Sequence, residues 1–118
     1  MRQVRHVPRR PPSILPANAL IVRLDGEIDL ITSNTLRERL LHALRYSGDR
    51  PFVCDLSEVT FCDAAGLAVL VAVERRARSL GRTFGLLAPT PTTARLLHLT
   101  GLDRGLTVYQ AQPEEGAA

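Results

Sequence analysis

Apolar residues follow two different spacings along the chain, and their alternation predicts strands separated by helices. Short runs rich in aliphatic residues at 19–24, 51–54, 83–87 and 106–109 are typical of buried strands. Between them, leucine, valine and alanine recur every three or four residues at 32–47, 64–81 and 90–101, which predicts amphipathic helices. Strands that alternate with helices favour a largely parallel sheet. A further edge strand is expected at 4–7 or at 13–15, and the pattern does not choose between them.

The residues at the element boundaries carry local signals. Gly26 allows a bend or bulge at the end of the first strand. A bend is expected after the central strand, between Cys54 and Cys62. Asp63 then stands where a helix N-cap belongs, because its carboxylate can accept hydrogen bonds from the unpaired N–H groups of the first turn. Ala64 and Ala65 place two small side chains at the start of this helix, where a partner's surface can approach closely.

Length and charge predict one domain with charged ends. The chain has 118 residues, and 45% of them are hydrophobic, which suffices for one core at 13–110. Residues 1–12 are expected to form a flexible basic arm and residues 111–118 a flexible tail. Four of the 15 basic residues, all of them arginine, lie in the arm, and two of the 12 acidic residues lie in the tail. The body is therefore nearly neutral, which argues against direct nucleic-acid binding.

Location and redox state follow from what the sequence lacks. No window carries the roughly 18 apolar residues of a membrane span, and no long apolar segment typical of a signal peptide follows the basic N-terminus. A cytoplasmic protein without membrane contact is therefore expected. Cys54 and Cys62 are interpreted as reduced, small core residues.

The sequence offers no convincing catalytic constellation. The three histidines are not at metal-ligand spacing, and the glycines do not form a phosphate loop. Asp25, Glu27, Asp29 and Asp63 could converge at one end of the sheet, but no nucleophile accompanies them. Recognition by a partner protein fits these acids better than catalysis or cation binding. We therefore expect no enzyme activity, no cofactor and no metal.

Three segments, taken together, resemble a known family. They are Gly26–Asp29, the stretch from Asp55 to Leu67, and Leu99–Asp103. In this order and spacing they look like the signature segments of the STAS domain, and more narrowly of bacterial anti-sigma factor antagonists. The resemblance covers roughly residues 19–110. It implies an α/β fold with a mixed β-sheet of about four to five strands, flanked by about three to four helices.

The resemblance also implies a function by partner switching. Such an antagonist binds an anti-sigma factor that is also a serine kinase, and the sigma factor is released. The kinase inactivates the antagonist by phosphorylating a hydroxyl residue directly after the loop aspartate. That position is Ala64 here, and Ala65 follows it, so the expected antagonist is insensitive to phosphorylation in this loop. The residues expected to contact the partner are Asp29, Thr60, Asp63, Ala64, Ala65, Gly66 and Leu67.

Two other functions remain open from the sequence. A STAS-like chain can serve as an accessory subunit of another complex, such as a lipid-transport ATPase or a stress-signalling scaffold. A sensor of nucleotides or other small molecules is the third interpretation, although no phosphate loop supports it. The sequence does not fix the oligomeric state, and a weak homodimer is compatible with it.

Overall fold

A computed structural model describes residues 14–110, in which four strands alternate with helices. The predicted succession of elements is confirmed, and one short helix, Leu102–Gly105, joins it without having been predicted. The arm at 1–12, the strand considered at 4–7 and the tail at 111–118 lie outside the described residues. The elements are β1 (Leu20–Ile28), α1 (Ser33–Arg45), β2 (Phe52–Cys62), α2 (Ala64–Ser79), β3 (Phe84–Leu87), α3 (Pro91–Thr100), α4 (Leu102–Gly105) and β4 (Thr107–Tyr109).

The four strands form one sheet in the order β1-β2-β3-β4. Every pairing within residues 14–110 is parallel, so the antiparallel strand that a mixed sheet would include is not among them. A helix between successive strands imposes this arrangement, because a parallel pair needs a crossover that returns the chain to the starting edge. Ile14 and Leu15, considered for an edge strand, are not in a strand.

The central strand β2 is longer than the sequence pattern indicates. The bend expected between Cys54 and Cys62 is wrong, because strand structure continues to Cys62 and the chain turns only at Asp63. β3 pairs with β2 only as far as Asp55, and β1 alone pairs with the rest of β2. This two-stranded extension has exposed polar positions. They interrupt the apolar pattern, so the pattern does not predict that the strand continues. Gly26, with a φ of +73°, lies at one of two register shifts in β1, as the predicted bulge requires.

The core lies where alternate strand positions meet the helices. Leu24, Cys54 and Leu86 share one buried cluster with apolar side chains of α1, α2 and α3. Both cysteines are free and buried, which confirms their interpretation as core residues. The opposite face of β1 exposes Ile21, Arg23 and Asp25. Among residues 14–110, no helix combines the length and the apolar character that crossing a membrane requires.

The buried face of helix α3 does not include every apolar residue of its pattern. Leu99 belongs to the predicted helix at 90–101, yet it is 68% exposed. The helix packs through Thr93 and Leu97, which are four residues apart and therefore lie on one face. Leu99 follows Leu97 by two residues and points away from that face. The helix begins as predicted, with the Thr90 hydroxyl accepting from the Thr93 N–H and Pro91 at the first position.

Candidate partner-binding site

The segments that carry Asp29 and Asp63 lie side by side at the carboxyl edge of the sheet. Ile28 of β1 pairs with Cys62 of β2, so the residues directly after them leave the sheet together. The Asp63 N–H donates a hydrogen bond of 3.2 Å to the Ile28 carbonyl, which ties the two segments. Residues that are more than thirty positions apart in the sequence therefore form one surface.

Asp63 caps α2, as the sequence predicts. Its Oδ1 accepts hydrogen bonds from the N–H groups of Ala65 at 2.9 Å and Gly66 at 3.1 Å. Two of the unpaired donors of the first turn are thereby satisfied, and the carboxylate stabilises the positive end of the helix dipole. Ala64 is exposed and Ala65 half-buried beside this cap. The start of α2 is thus held rigidly and carries no bulky side chain.

Asp29 organises the loop that leads into α1. Its Oδ1 accepts from the N–H groups of Ile31 and Thr32, both at 3.0 Å. The Thr32 hydroxyl donates to the Glu27 carbonyl at 3.0 Å and accepts from the Asp29 N–H at 2.9 Å. Thr32 is the N-cap residue of α1, but its side chain makes no capping hydrogen bond to the helix. Its hydroxyl instead closes the loop, so the loop conformation is set before any partner binds.

Two of the predicted contact residues are buried. Leu67 is 5% exposed and belongs to the core cluster, so it supports the surface from below and offers a partner nothing to contact. Gly66 is also buried, and a Cβ there would come within 2.7 Å of Ile28 Cγ2 and 2.8 Å of the Ile28 carbonyl oxygen. Its lack of a side chain lets α2 approach the end of β1. Of the others, Thr60 and Ala64 are exposed, and Asp29, Asp63 and Ala65 are partly buried.

The structure adds three large apolar residues that sequence reasoning missed. Leu30 and Ile31, in the Asp29 loop, are 77% and 87% exposed, and Phe61, near the end of β2, is 48% exposed. One sequence signal could have identified Leu30 and Ile31. They are an aliphatic pair between Asp29 and Thr32 that fits neither a helical nor a strand periodicity. We call the surface made by the exposed parts of both segments the loop face; it comprises Asp29, Leu30, Ile31, Thr60, Phe61, Asp63, Ala64 and Ala65.

The charge around the loop face is acidic. Asp25 of β1 lies opposite Glu58 of β2, although like charges in that position repel. The ion pairs found within residues 14–110 are Arg23–Asp55, Glu74–Arg78 and His98–Asp103, and none of them neutralises these acids or the two loop aspartates. Within the same residues, no group of three His, Cys, Asp or Glu side chains could hold a metal. Arg39 lines the adjoining cavity with Asp25, Glu27 and Ile31, so the acids there are accompanied by one basic residue.

The thiol beneath the loop face is not a nucleophile at neutral pH. Burial, together with the smaller effect of the nearby Asp63 carboxylate, raises the pKa of Cys62 from 9.0 to about 11. The Cys62 Sγ lies 3.6 Å from the Asp63 carbonyl oxygen. Because the thiolate is the reactive form, a thiol with this pKa stays protonated and inert.

These features define a small parallel α/β domain with a preformed, acidic surface at the carboxyl edge of its sheet. A family model described as "Mlab, STAS domain" matches residues 15–109. The chain belongs to the STAS domain family, as the three sequence segments indicate.

Curated relatives and solved structures refine this assignment. The chain is 34% identical over 93 residues to the anti-sigma-F factor antagonist RsfB of Mycobacterium tuberculosis, covering 75% of this chain and 71% of that protein. The crystal structure of an anti-sigma factor antagonist from Mycobacterium paratuberculosis is 31% identical, with a TM-score of 0.67 over 81% of this chain and 80% of the other. The unphosphorylated antagonist SpoIIAA has a TM-score of 0.68 over 89% and 90%, and at 20% identity it supports the fold alone.

Proposed function

We propose that this protein is a cytoplasmic anti-sigma factor antagonist that acts by binding. Its loop face binds a kinase-type anti-sigma factor, and the sigma factor that the kinase held is released. The observation that carries the proposal is the exposure of Leu30 and Ile31 on a loop that Asp29 holds rigid. The names of the relatives support the same role.

The composition of the loop face supports a protein partner. Interfaces gain most of their binding energy from a few apolar anchors surrounded by polar residues. Leu30, Ile31 and Phe61 are such anchors, and Asp29 and Asp63 supply the polar surroundings. The capping hydrogen bonds fix the backbone in advance, so binding loses less conformational entropy than it would in a mobile loop. The exposed Ala64 leaves room for close approach.

We also propose that the usual phosphorylation switch is missing from this antagonist. Position 64 directly follows the loop aspartate and is exposed at the start of α2, but alanine has no hydroxyl to accept a phosphoryl group. A phosphate there would add nearly two negative charges to a face that is already acidic. Leaving such charges unpaired in an interface costs roughly 4 kcal/mol, which weakens binding about a thousandfold. Without the hydroxyl, the bound state cannot be reversed in this way.

A binding measurement with matched leucine variants tests the contact surface. Kinase-type anti-sigma factors from the source organism are titrated calorimetrically with the full-length protein, with Leu30→Ser and with Leu99→Ser. Leu30 and Leu99 are both largely exposed, but Leu99 lies near the end of α3, away from the loop face. We expect Leu30→Ser to weaken binding at least about tenfold, or 1.4 kcal/mol, and Leu99→Ser to leave it unchanged. Failure of every such kinase to bind, or selective binding of a transport ATPase, would contradict the proposal.

Restoring the hydroxyl tests the missing switch. The anti-sigma factor that binds is incubated with ATP and either the natural protein or Ala64→Ser, and incorporation of phosphate is located by mass spectrometry. We expect phosphate at position 64 of the variant, together with release of the kinase, and a natural protein that stays bound. Phosphorylation of the natural protein at another residue, followed by its release, would refute insensitivity while leaving the antagonist function intact.

A further inference from the structure

A second surface lies between α1 and α2. The two helices enclose a cavity of about 560 Å³. We call it the basic groove, because five arginines line it and no acidic residue does. Its lining residues are Arg37, Leu41, Leu44, Arg45, Ala72, Arg75, Arg76, Leu80 and Arg82.

The basic groove has an apolar base and a charged rim. Leu44 is fully buried, and Leu41 and Ala72 are partly buried. The rim arginines at 37, 45, 75 and 76 are all exposed. Arginine stems pack along apolar surface while their guanidinium groups remain in water. A ligand that fits this groove needs an apolar side for the base and negative charge for the rim.

Some of the arginines that line the basic groove have a structural role. Arg82 donates hydrogen bonds to the Leu44 carbonyl at 3.0 Å and to the Ser47 hydroxyl at 2.7 Å, so its role is structural. Arg45 and Arg76 lie in the last turns of their helices, where the helix dipole favours cations. Neither reason applies to Arg37 or Arg75.

The rim arginines have no acidic partner in the described structure. Within residues 14–110, the arginines that form ion pairs are Arg23 and Arg78, and neither lines the basic groove. Guanidinium groups gathered around one cavity repel each other unless negative charge neutralises them. Because the body as a whole is almost neutral, this concentration is a local feature, separate from the general basicity of the chain.

We propose that the basic groove binds an acidic, amphipathic segment of a partner protein. Guanidinium groups form paired hydrogen bonds with carboxylates, and the apolar base accommodates the hydrophobic side of such a segment. The base favours a peptide over nucleic acid, whose phosphate backbone has no apolar side to place there. Arg75 lies eleven residues beyond Ala64 on α2, about 17 Å along the helix at 1.5 Å per residue. Arg75 therefore lies outside the loop face, whereas Arg37, also in the basic groove, lines a smaller cavity together with Ala65.

Fluorescence anisotropy with a synthetic peptide tests the proposal on the full-length protein. The labelled probe is an amphipathic helix with leucine on one face and glutamate on the other, and a second peptide carries glutamine in place of glutamate. We expect saturable binding of the glutamate peptide, weakened at least about tenfold by Arg75→Glu, and weaker again when ionic strength rises from 0.1 M to 1 M. Arg95→Glu is the matched control, because Arg95 is exposed on α3 and does not line the basic groove.

Several results would overturn the proposal. The glutamine peptide would bind as tightly as the glutamate peptide if charge had no part in recognition. Arg95→Glu would weaken binding as much as Arg75→Glu if the peptide sensed only net charge. Tighter binding of a 20-base-pair DNA duplex would assign the basic groove to nucleic acid, and the absence of saturable binding would leave it without this ligand. If circular dichroism shows that Arg75→Glu is unfolded, Arg37→Glu on α1 takes its place.

Discussion

The first three residues of α2 are all small, but each is small for a different reason. Ala64 is exposed, at the position where the family resemblance implies a phosphate acceptor, and its methyl group keeps the surface uncharged. Ala65 is half-buried beside the Asp63 cap. Gly66 faces the end of β1 so closely that any side chain would collide with Ile28. Packing therefore excludes a side chain at Gly66, whereas Ala64 is exposed and has no such limit.

Gly66→Ala is expected to destabilise the protein by about 1–3 kcal/mol. The added Cβ would lie 2.7 Å from Ile28 Cγ2, 2.8 Å from Cys62 Sγ and 2.8 Å from a backbone oxygen that cannot move freely. Urea unfolding measures the change in free energy. Gly105→Ala is the control, because a Cβ at Gly105 meets nothing within 4 Å, and we expect it to leave stability within about 1 kcal/mol of the original. Equal effects of the two substitutions would contradict the packing argument.

At the scale of elements, α1 is held at both ends by residues outside the helix. The Asp29 loop closes its N-terminal side, and Arg82, from the segment between α2 and β3, reaches its last turn. The Leu44 carbonyl and the buried Ser47 hydroxyl both receive hydrogen bonds from the Arg82 guanidinium. The Leu44 carbonyl also accepts hydrogen bonds from the Ser47 N–H and hydroxyl, and the Arg82 bonds connect this last turn to the segment between α2 and β3.

Arg82→Gln is expected to lower the free energy of unfolding by about 1.5–3 kcal/mol. The substitution removes two hydrogen bonds from a charged donor, and the buried Ser47 hydroxyl keeps only the bond that it donates to the Leu44 carbonyl. Urea unfolding at neutral pH measures the loss. Arg95→Gln removes the same charge from an exposed position on α3, and we expect it to stay within about 0.5 kcal/mol. A similar loss in both variants would show that the charge matters and the hydrogen bonds do not.

At the scale of the whole molecule, charge is divided between two regions. Acids gather at the carboxyl edge of the sheet, around Asp25, Glu58 and the two loop aspartates, and arginines gather in the basic groove. The chain contains no lysine, so its basic side chains keep their charge even in moderate alkali. The titration of buried thiols can therefore be observed without a loss of cationic charge.

Alkali is expected to destabilise the protein as the pH rises from about 9 toward 12. Burial raises the pKa of Cys54 from 9.0 to about 12, and that of Cys62 to about 11. The pKa of each thiol is higher in the folded protein than in the unfolded chain, so its contribution to stability is complete below pH 9. Above that pH the unfolded chain releases the proton first, and this favours unfolding. Urea unfolding across this range measures the decline, and Cys54→Ala should flatten it.

Thiol labelling provides an independent check at constant pH. At pH 8 we expect neither cysteine of the folded protein to react with an aromatic disulfide reagent, and both to react in urea. Rapid labelling of the folded protein would show that the thiols are accessible and that burial does not control their titration.

The sequence alone determined the elements and many of their ends, because these depend on local chemistry. Helical spacing identified α1 and α2, and the capping residue Asp63 identified where α2 begins. Gly26 marked an irregularity that the bulge in β1 confirms. Each of these signals needs only the residues a few positions away, so the short range of a sequence pattern is sufficient.

Only the tertiary structure decided which residues form surfaces. Helical spacing gave Leu67 and Leu99 similar apolar character, yet Leu67 is buried against the strands and Leu99 is exposed. Tertiary packing also leaves Leu30 and Ile31 exposed. It brings together arginines from α1, from α2 and from the segment after α2. Burial and charge clustering depend on neighbours that the fold brings from distant positions. A sequence pattern shows which apolar side chains would gain from burial. The packing of other elements determines which of them are buried.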